Sequence, residues 1–402
     1  MKTAIAVVPS LSRPLDRISM GRIVEIRERL LAAQAAGTTV YRFESGDPGF
    51  APPAGVLEAI TAAGRAGQTH YVPNNGIPVL RRALAQKCTA VNRMPGLSEQ
   101  DVFLTNGAMH ALYVTFGALL SPGDEVIIPD PMWTEVGENI RLAGGTPVGV
   151  PLRREDDFAY RPDAIEAAIT PRTVAIFLNT PHNPTGAVLE RDTLAAIAAL
   201  ASERGLWLVA DEAYEDIIYA PSVHHSIASL PEADPSRTVT VYSFSKSHAM
   251  PGLRVGYIVT RSEQLHELIP KLLRCTINGV NSLAQAGALA AVTGDQGHLA
   301  TMCAEYRLRR DLLLAALGGL EGVHAFVPRG AFYLWVSLDP AIYRRFGVAD
   351  ADALSDALAA RGLGNAPGSA FGRSCRDALR FSFSSSTAMV REGSAVLRAA
   401  LA

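Results

Sequence analysis

Between residues 100 and 260, short runs rich in β-branched and aromatic residues alternate with stretches that carry alanine, leucine and isoleucine at helical spacing. No other feature limits the fold as strongly. The runs are DVFLT, DEVIIP, TPVGV, TVAIFL, LWLVAD, TVTVYSF and LRVGYIVT, and residues 108–120 and 190–204 are two of the helical stretches between them. Parallel strands need crossovers long enough for a helix, so the pattern predicts an α/β domain: a mostly parallel, mixed sheet covered by helices on both faces. Residues 18–36 read as one amphipathic helix, and an alanine-rich segment near Ala284 opens a C-terminal piece. The two ends are expected to meet in a smaller α+β domain. The expected division is an N-terminal arm over residues 1–17, a small domain over 18–44 and 285–402, and a large domain over 45–284.

A chain of 402 residues, 48% hydrophobic, can bury a core of that size. Its 37 basic and 39 acidic residues form no long run of either sign, which argues against a nucleic acid or an anionic membrane as partner. The apolar stretch at residues 4–8 is too short for a secretory signal, and no run approaches the length of a membrane helix. Cys88, Cys275, Cys303 and Cys375 have no ligand spacing, so reduced thiols in a cytoplasmic protein are expected. His110, His182 and the pair His224-His225 show no HExxH or carboxylate spacing, and no metal is expected.

In an open parallel sheet, ligands bind beyond the carboxyl ends of the strands. There the sequence sets Asn106-Gly107-Ala108 after the first run, Trp133 after the second and Asn183 in NTPHNPTG after the fourth. Asp211 and Tyr214 follow the fifth run, and Ser243, Ser245 and Lys246 the sixth. Asn106-Gly107-Ala108 at a helix start offers free N–H groups to a phosphate. Ser243 or Ser245 and Arg254 add a hydroxyl and a guanidinium fork for the same anion. Lys246 in a partly desolvated pocket beside Arg254 supplies an amine able to form an imine. Trp133 offers a stacking face, although a tryptophan after a strand also reads as core, and Tyr214 as packing. Asp211 is an acceptor able to hold a ring nitrogen protonated. Together these parts describe a site for pyridoxal 5′-phosphate.

Over about residues 18–383 the sequence resembles the class I/II aminotransferases, the fold-type I pyridoxal-phosphate enzymes, with its motifs in family order. SFSKSHAMPGLRVGY is similar to the lysine signature, which carries over Ser243, Lys246 and Arg254. NTPHNPTG resembles the family's N-P-x-N-P-T-G loop, departing from it at Thr180, and implies that Asn183 contacts cofactor and substrate. DEAY matches the Asp…Tyr pair at Asp211 and Tyr214. THYVPNNGIPVLRRAL is similar to the segment whose tyrosine, here Tyr71, reaches the phosphate of a neighbouring subunit, which implies a homodimer. ESGDPGF places Gly46 near the substrate carboxylate, although Gly46 also reads as a turn residue. LRFSFSSS resembles the strand whose arginine, here Arg380, binds the α-carboxylate.

The resemblance implies transfer of an amino group between an α-amino acid and a 2-oxo acid. In some acidic-substrate members a lysine follows the phosphate loop; the matching residue here is Met109, which favours an apolar, aromatic or sulfur-containing side chain. Arg274 lies near the place of another subfamily's distal arginine, in an alignment that slips there. His182 in the pocket loop is weighed as a substrate contact. The alternative outcome at the same site is a pyridoxal-phosphate lyase, cyclase or oxidase. A regulator that fuses this fold to a DNA-binding domain is disfavoured, as is a nicotinamide dehydrogenase, since no GxGxxG follows a strand.

Overall fold

The computed structural model describes Leu15, Ile18 and residues 21–402. Apart from Leu15, the expected arm over residues 1–17 lies outside the described residues. Within the expected first helix the structure has α1 (Arg22–Ala35), whose apolar spacing buries Ile26 and Leu30. Helices α2 (Val56–Arg65) and α3 (Pro78–Ala90) follow.

The alternating region then unfolds in order: β1 (Val102–Thr105), α4 (Ala108–Leu119), β2 (Glu125–Asp130), α5 (Thr134–Leu142), β3 (Thr146–Pro151) and α6 (Pro162–Ala167). After these come β4 (Thr173–Asn179), α7 (Arg191–Arg204), β5 (Trp207–Asp211), β6 (Thr238–Ser243), the short α8 (Phe244–Ser247) and β7 (Gly256–Thr260). Each β-rich run contributes one strand, and the strands form one seven-stranded sheet in the order β1-β7-β6-β5-β4-β2-β3. Strands β2 to β6 pair in parallel, and β7 runs antiparallel to both its neighbours, so the sheet is mixed, as the sequence pattern predicts.

Period-two geometry sorts each strand between two cores. On β4, Ala175 and Phe177 face one core with Phe116 of α4, Ile140 of α5 and Ile269 of α9 (Glu263–Thr276). Ile176 and Leu178 face the other, with Leu194 and Ile197 of α7. Truncating a buried ring such as Phe177 to alanine is expected to cost about 3–5 kcal/mol.

Beyond α9 lie α10 (Ser282–Thr293), capped by the Asn281 side chain, and the long α11 (Gly297–Leu317). A second, antiparallel sheet has the order β10-β11-β9-β8, built from β8 (Val323–Ala325), β9 (Tyr333–Leu338), β10 (Ala366–Pro367) and β11 (Ala378–Ser382). Helices α12 (Pro340–Phe346), α13 (Ala351–Ala359) and α14 (Thr387–Leu401) complete the chain. The second sheet shares a core with Leu313 of α11, Leu358 of α13 and Leu397 of α14, while α1 packs against α13 and β10. The expected boundary at residues 284 and 285 cuts α10, whose Ala284, Ala288 and Ala291 pack with Val56 of α2 and Leu84 of α3. We propose that the smaller domain begins with α11 instead. Ala213 and Tyr214, just after β5, belong to the core of the second sheet, so the two units meet at the carboxyl ends of the strands.

Candidate active site

Strand β6 ends at Ser243, whose Oγ accepts the N–H of Ser245 at 3.1 Å and caps the single turn of α8. That turn aims Lys246 away from the sheet. Its Nζ donates to the carbonyl oxygen of Gly46 at 2.8 Å and lies 5.6 Å and 5.5 Å from the ring centres of Tyr214 and Phe332. A Cβ at position 46 would stand 2.5 Å from Tyr333 Oη, so only glycine leaves room for this carbonyl beside the amine.

At the end of β5, Asp211 is buried and its Oδ1 accepts the Ala213 N–H at 3.0 Å. Burial pushes its carboxyl up to about 6, with Glu212 adding to the rise and Lys246 opposing it. Asn179 at the end of β4 fixes the neighbouring loops: its Nδ2 donates to Asp211 O at 3.0 Å and its Oδ1 accepts Asn183 N–H at 2.8 Å. Tyr214 and Tyr333 share a hydroxyl hydrogen bond, and burial beside Tyr333 holds the Tyr214 phenol well above its ordinary value.

Between β1 and α4, Gly107 has φ +81° and precedes the helix. A Cβ there would collide with the Arg254 guanidinium, which donates to Pro251 O at 2.8 Å and Asn106 O at 3.4 Å. The first N–H groups of α4 have no intrahelical partner, so a guanidinium and a helix start share one side of the site.

Arg380 on β11 enters from the second sheet and is fully enclosed. Nη1 donates to Asn183 Oδ1 at 3.0 Å and Nη2 to Glu44 O at 2.9 Å, while Nε has no partner among the described residues. The guanidinium carbon stands 4.3 Å and 4.8 Å from the ring centres of Tyr333 and Phe371. Burial lowers its pKa, against the pull of Tyr333 and Tyr214. Such a charge, with donors to spare, fits an anion that arrives from outside.

A family model for aminotransferase class I and II matches residues 38–397. The chain belongs to this family. It is 33% identical over 375 residues to the aspartate aminotransferase of Musicola paradisiaca, covering 93% of this chain and 92% of that protein. It is 35% identical to a probable aspartate/prephenate aminotransferase of Aquifex aeolicus, over 92% of each. The structure of the Thermus thermophilus aspartate aminotransferase with maleate superposes with a TM-score of 0.91 at 32% identity, covering 98% of this chain and 100% of that one.

This aminotransferase is a pyridoxal-phosphate-dependent transaminase. Its residues suit that cofactor: a guanidinium, a buried carboxyl and an amine open into one cavity of about 560 Å³, and behind the guanidinium stands a glycine whose Cβ would collide with it. Gly46, Ala108, Trp133, Asn183, Asp211 and Tyr214 line the cavity, as do Ser243, Ser245, Lys246, Arg254 and Arg380. Asn106 and Gly107 stand just behind Arg254. Tyr71 is not brought to the site of its own chain and is 91% exposed.

The aminotransferase differs from expectation at His182. That ring is buried behind the loop, with Nδ1 hydrogen-bonded to Thr185 at 2.7 Å and its face against Tyr160; burial pushes it down to about 3 and keeps it neutral. It does not line the cavity, so the substrate contact weighed for it falls away. Arg274 is exposed at the end of α9 and also lies outside the cavity.

Glu212, Glu215 and His224 bring potential ligand atoms together behind β5. Every oxygen of the two carboxylates already receives a donor, from Ser226, the Ile227 N–H, Tyr242 and His224 on Glu212 and from Lys87 and Asn92 on Glu215. The two carboxylates are satisfied within an internal network, and His224 Nδ1 is left without a partner among the described residues. Sequence reasoning missed Tyr333, Glu44 and Glu135 as wall residues. Tyr333 lies in the apolar run FYLWV, where nothing separates it from core; Glu135 sits two residues beyond Trp133, where its position after β2 was the available signal.

Proposed function

We propose that this enzyme moves an amino group between an α-amino acid and a 2-oxo acid, with an apolar, aromatic or sulfur-containing side chain favoured over a second carboxylate. We further propose a homodimer with shared sites as its working unit. The observation that carries the reading is that the Lys246 amine and the Arg380 guanidinium, from separate sheets, line one cavity.

Pyridoxal phosphate, when bound, supplies the carbon that carries the amino group and a ring that takes up charge. The first turn of α4, Ser243 and Arg254 would hold its phosphate, Trp133 and Asn183 its ring and phenolic oxygen. Arg380 fixes the α-carboxylate of the substrate with its fork. Lys246 Nζ, tethered by the Gly46 carbonyl, is the base and acid that moves the proton at the substrate Cα. Asp211, in its buried setting, holds a proton at the ring nitrogen. Tyr214, held by its hydroxyl bond to Tyr333, adds a phenol to the same wall.

The side-chain preference follows from the charges on the wall. Among the described lining residues the cations are Lys246, Arg254 and Arg380, each with a task, and the lysine place after the phosphate loop holds Met109. Ile23 and Val24 add apolar surface, and Glu44, Asp47 and Glu135 would oppose a second carboxylate. The relatives named above carry aspartate in their names, which makes the comparison a sharp test.

The test is the absorbance of the purified holoenzyme as single amino acids are added. Loss of the visible band, gain of the band of the amine form and recovery with a 2-oxo acid are expected, all absent in Lys246→Ala. Oxygen uptake or release of a side-chain group without the amine form would overturn transamination. Rapid turnover of aspartate beside poor turnover of leucine, phenylalanine and methionine would overturn the side-chain preference alone.

A further inference from the structure

Glu135 lines the cavity and takes no part in the chemistry assigned above. It stands in the first turn of α5, where an acidic side chain suits the helix dipole. That role is served by a carboxylate in water, and this one is half-buried. Its Oε2 is closed off from solvent and has no hydrogen-bond donor among the described residues. Burial raises its carboxyl pKa, with its own backbone N–H and Arg380 pulling down and Glu138 pushing up.

The surroundings hold its backbone in place. Asn139 Nδ2 donates to the Glu135 carbonyl at 2.8 Å and reaches Met109 Sδ at 3.4 Å, which clamps the first turn of α5 to that of α4. Met109 and Glu135 therefore form one stretch of wall, and both also face an adjoining cavity of about 410 Å³. Apart from Glu44 and Asp47, a substrate with its carboxylate on Arg380 and its Cα at Lys246 has Ile23, Val24, Met109 and Glu135 as the wall for its side chain. Three of those residues are apolar and the fourth presents an oxygen that lacks a donor.

We propose that Glu135 selects the amino donor by accepting a hydrogen bond from an N–H or O–H group at the end of a side chain whose stem packs on Met109, Ile23 and Val24. The inference rests on the aminotransferase reading and narrows its substrate class to side chains with an apolar stem and a donor tip. An acceptor oxygen closed off from solvent enforces such a choice, because a substrate without the donor leaves it unpaired.

The test compares donor pairs on the holoenzyme: tyrosine with phenylalanine, a neutral tip, and ornithine with norvaline, a cationic one. Steady-state kcat/KM is read beside calorimetric binding of α-methyltyrosine and α-methylphenylalanine, which lack the Cα proton. In at least one pair the member with the donor is expected to lead by about tenfold or more, in binding as in turnover where both are measured. Glu135→Leu should erase that lead, read as the ratio of kcat/KM within each pair. Glu135→Gln should keep a lead for the phenol, whose proton an amide oxygen accepts, and lose one for the ammonium, so the two tips are told apart. Equal handling within both pairs, a lead that survives Glu135→Leu, or preference for aspartate would overturn the role of Glu135. Failure of every amino acid to yield a 2-oxo acid would instead strike the aminotransferase reading itself.

Discussion

Tyr214 and Tyr333, 119 residues apart in sequence, share a hydrogen bond of 2.8 Å between their hydroxyls inside the candidate active site. One follows β5 of the large sheet and the other opens β9 of the small one, so the bond joins the two units at the point where substrate is to be held. Tyr333 also stacks against the Arg380 guanidinium at 4.3 Å. Tyr333→Phe keeps the ring and removes the bond, leaving the buried Tyr214 hydroxyl without that partner. A stability loss of about 1 kcal/mol is expected, with a larger proportional fall in kcat than in stability. In a double-mutant cycle with Tyr214→Phe, the two losses should fail to add, by about 1 kcal/mol. Simple additivity would show that the bond is incidental.

Asp211 makes stability and activity pull in opposite directions. Burial raises its folded carboxyl to about 6, above the unfolded value. The folded chain therefore binds this proton more tightly than the unfolded one. The associated stability is fully present below about pH 4 and is lost as pH rises through about 6, by on the order of 2–3 kcal/mol. In the apoprotein, Asp211→Asn should melt at a higher temperature than the natural chain at pH 8, with the gap closing toward pH 4. Transamination by the same variant should fall by about 100-fold or more, since an amide cannot hold a proton at the ring nitrogen. Thermal melts across that range check the first part; a gap that widens on acidification would contradict it.

How far this was legible in the sequence follows from physical range. Strands β1, β2 and β4 to β7 announced themselves because a strand covered on both faces reads as a continuous apolar run, whereas the half-exposed edge strand β3 showed only through its valines. Lys246, Asp211 and Asn183 stood out as polar residues immediately beyond such runs. Tyr333 did not, since a phenol in the apolar strand β9 looks like packing until its partner 119 residues away is known. The packing of α10 against α2 and α3 was equally hidden. Its alanines, with Gly287, permit close approach by Ile60 of α2, and a Cβ at Gly287 would stand 2.9 Å from that side chain. Alanine spacing alone does not say which neighbour will make that approach. The isolation of Glu135 depends on Asn139 tying α5 to α4, a contact between side chains of separate helices.

Arg380 is expected to act through the shape of its fork as much as through its charge. Arg380→Lys keeps a cation but gives up the paired donors that now meet Asn183 and Glu44. A fall in kcat/KM of about 100-fold or more is expected for amino acids and 2-oxo acids alike, with much of it in KM. A primary amine without a carboxylate should react equally poorly with both enzymes. Arg380→Met should raise the melting temperature of the apoprotein, because it removes a buried charge whose pKa burial already lowers. A less stable Arg380→Met protein would mean that the guanidinium holds the two sheets together in addition to binding substrate.

Tyr71 tests the proposed dimer. In a single chain it is 91% exposed and does not line the cavity, so it is free to reach a neighbouring subunit. If it serves the phosphate of a partner, Tyr71→Ala should weaken cofactor retention while leaving the melting temperature of the apoprotein unchanged. The decisive experiment mixes Tyr71→Ala with Lys246→Ala chains under conditions that allow subunit exchange. In a hybrid dimer one site has lost both residues and the other has regained both, since each site takes its lysine from one chain and its tyrosine from the other. At limiting cofactor, activity should therefore rise toward about a quarter of the natural level, as expected when half the dimers of a two-fold assembly carry one intact site. A mixture no more active than the average of its parents would place both residues of a site on the same chain, and would remove Tyr71 from the phosphate.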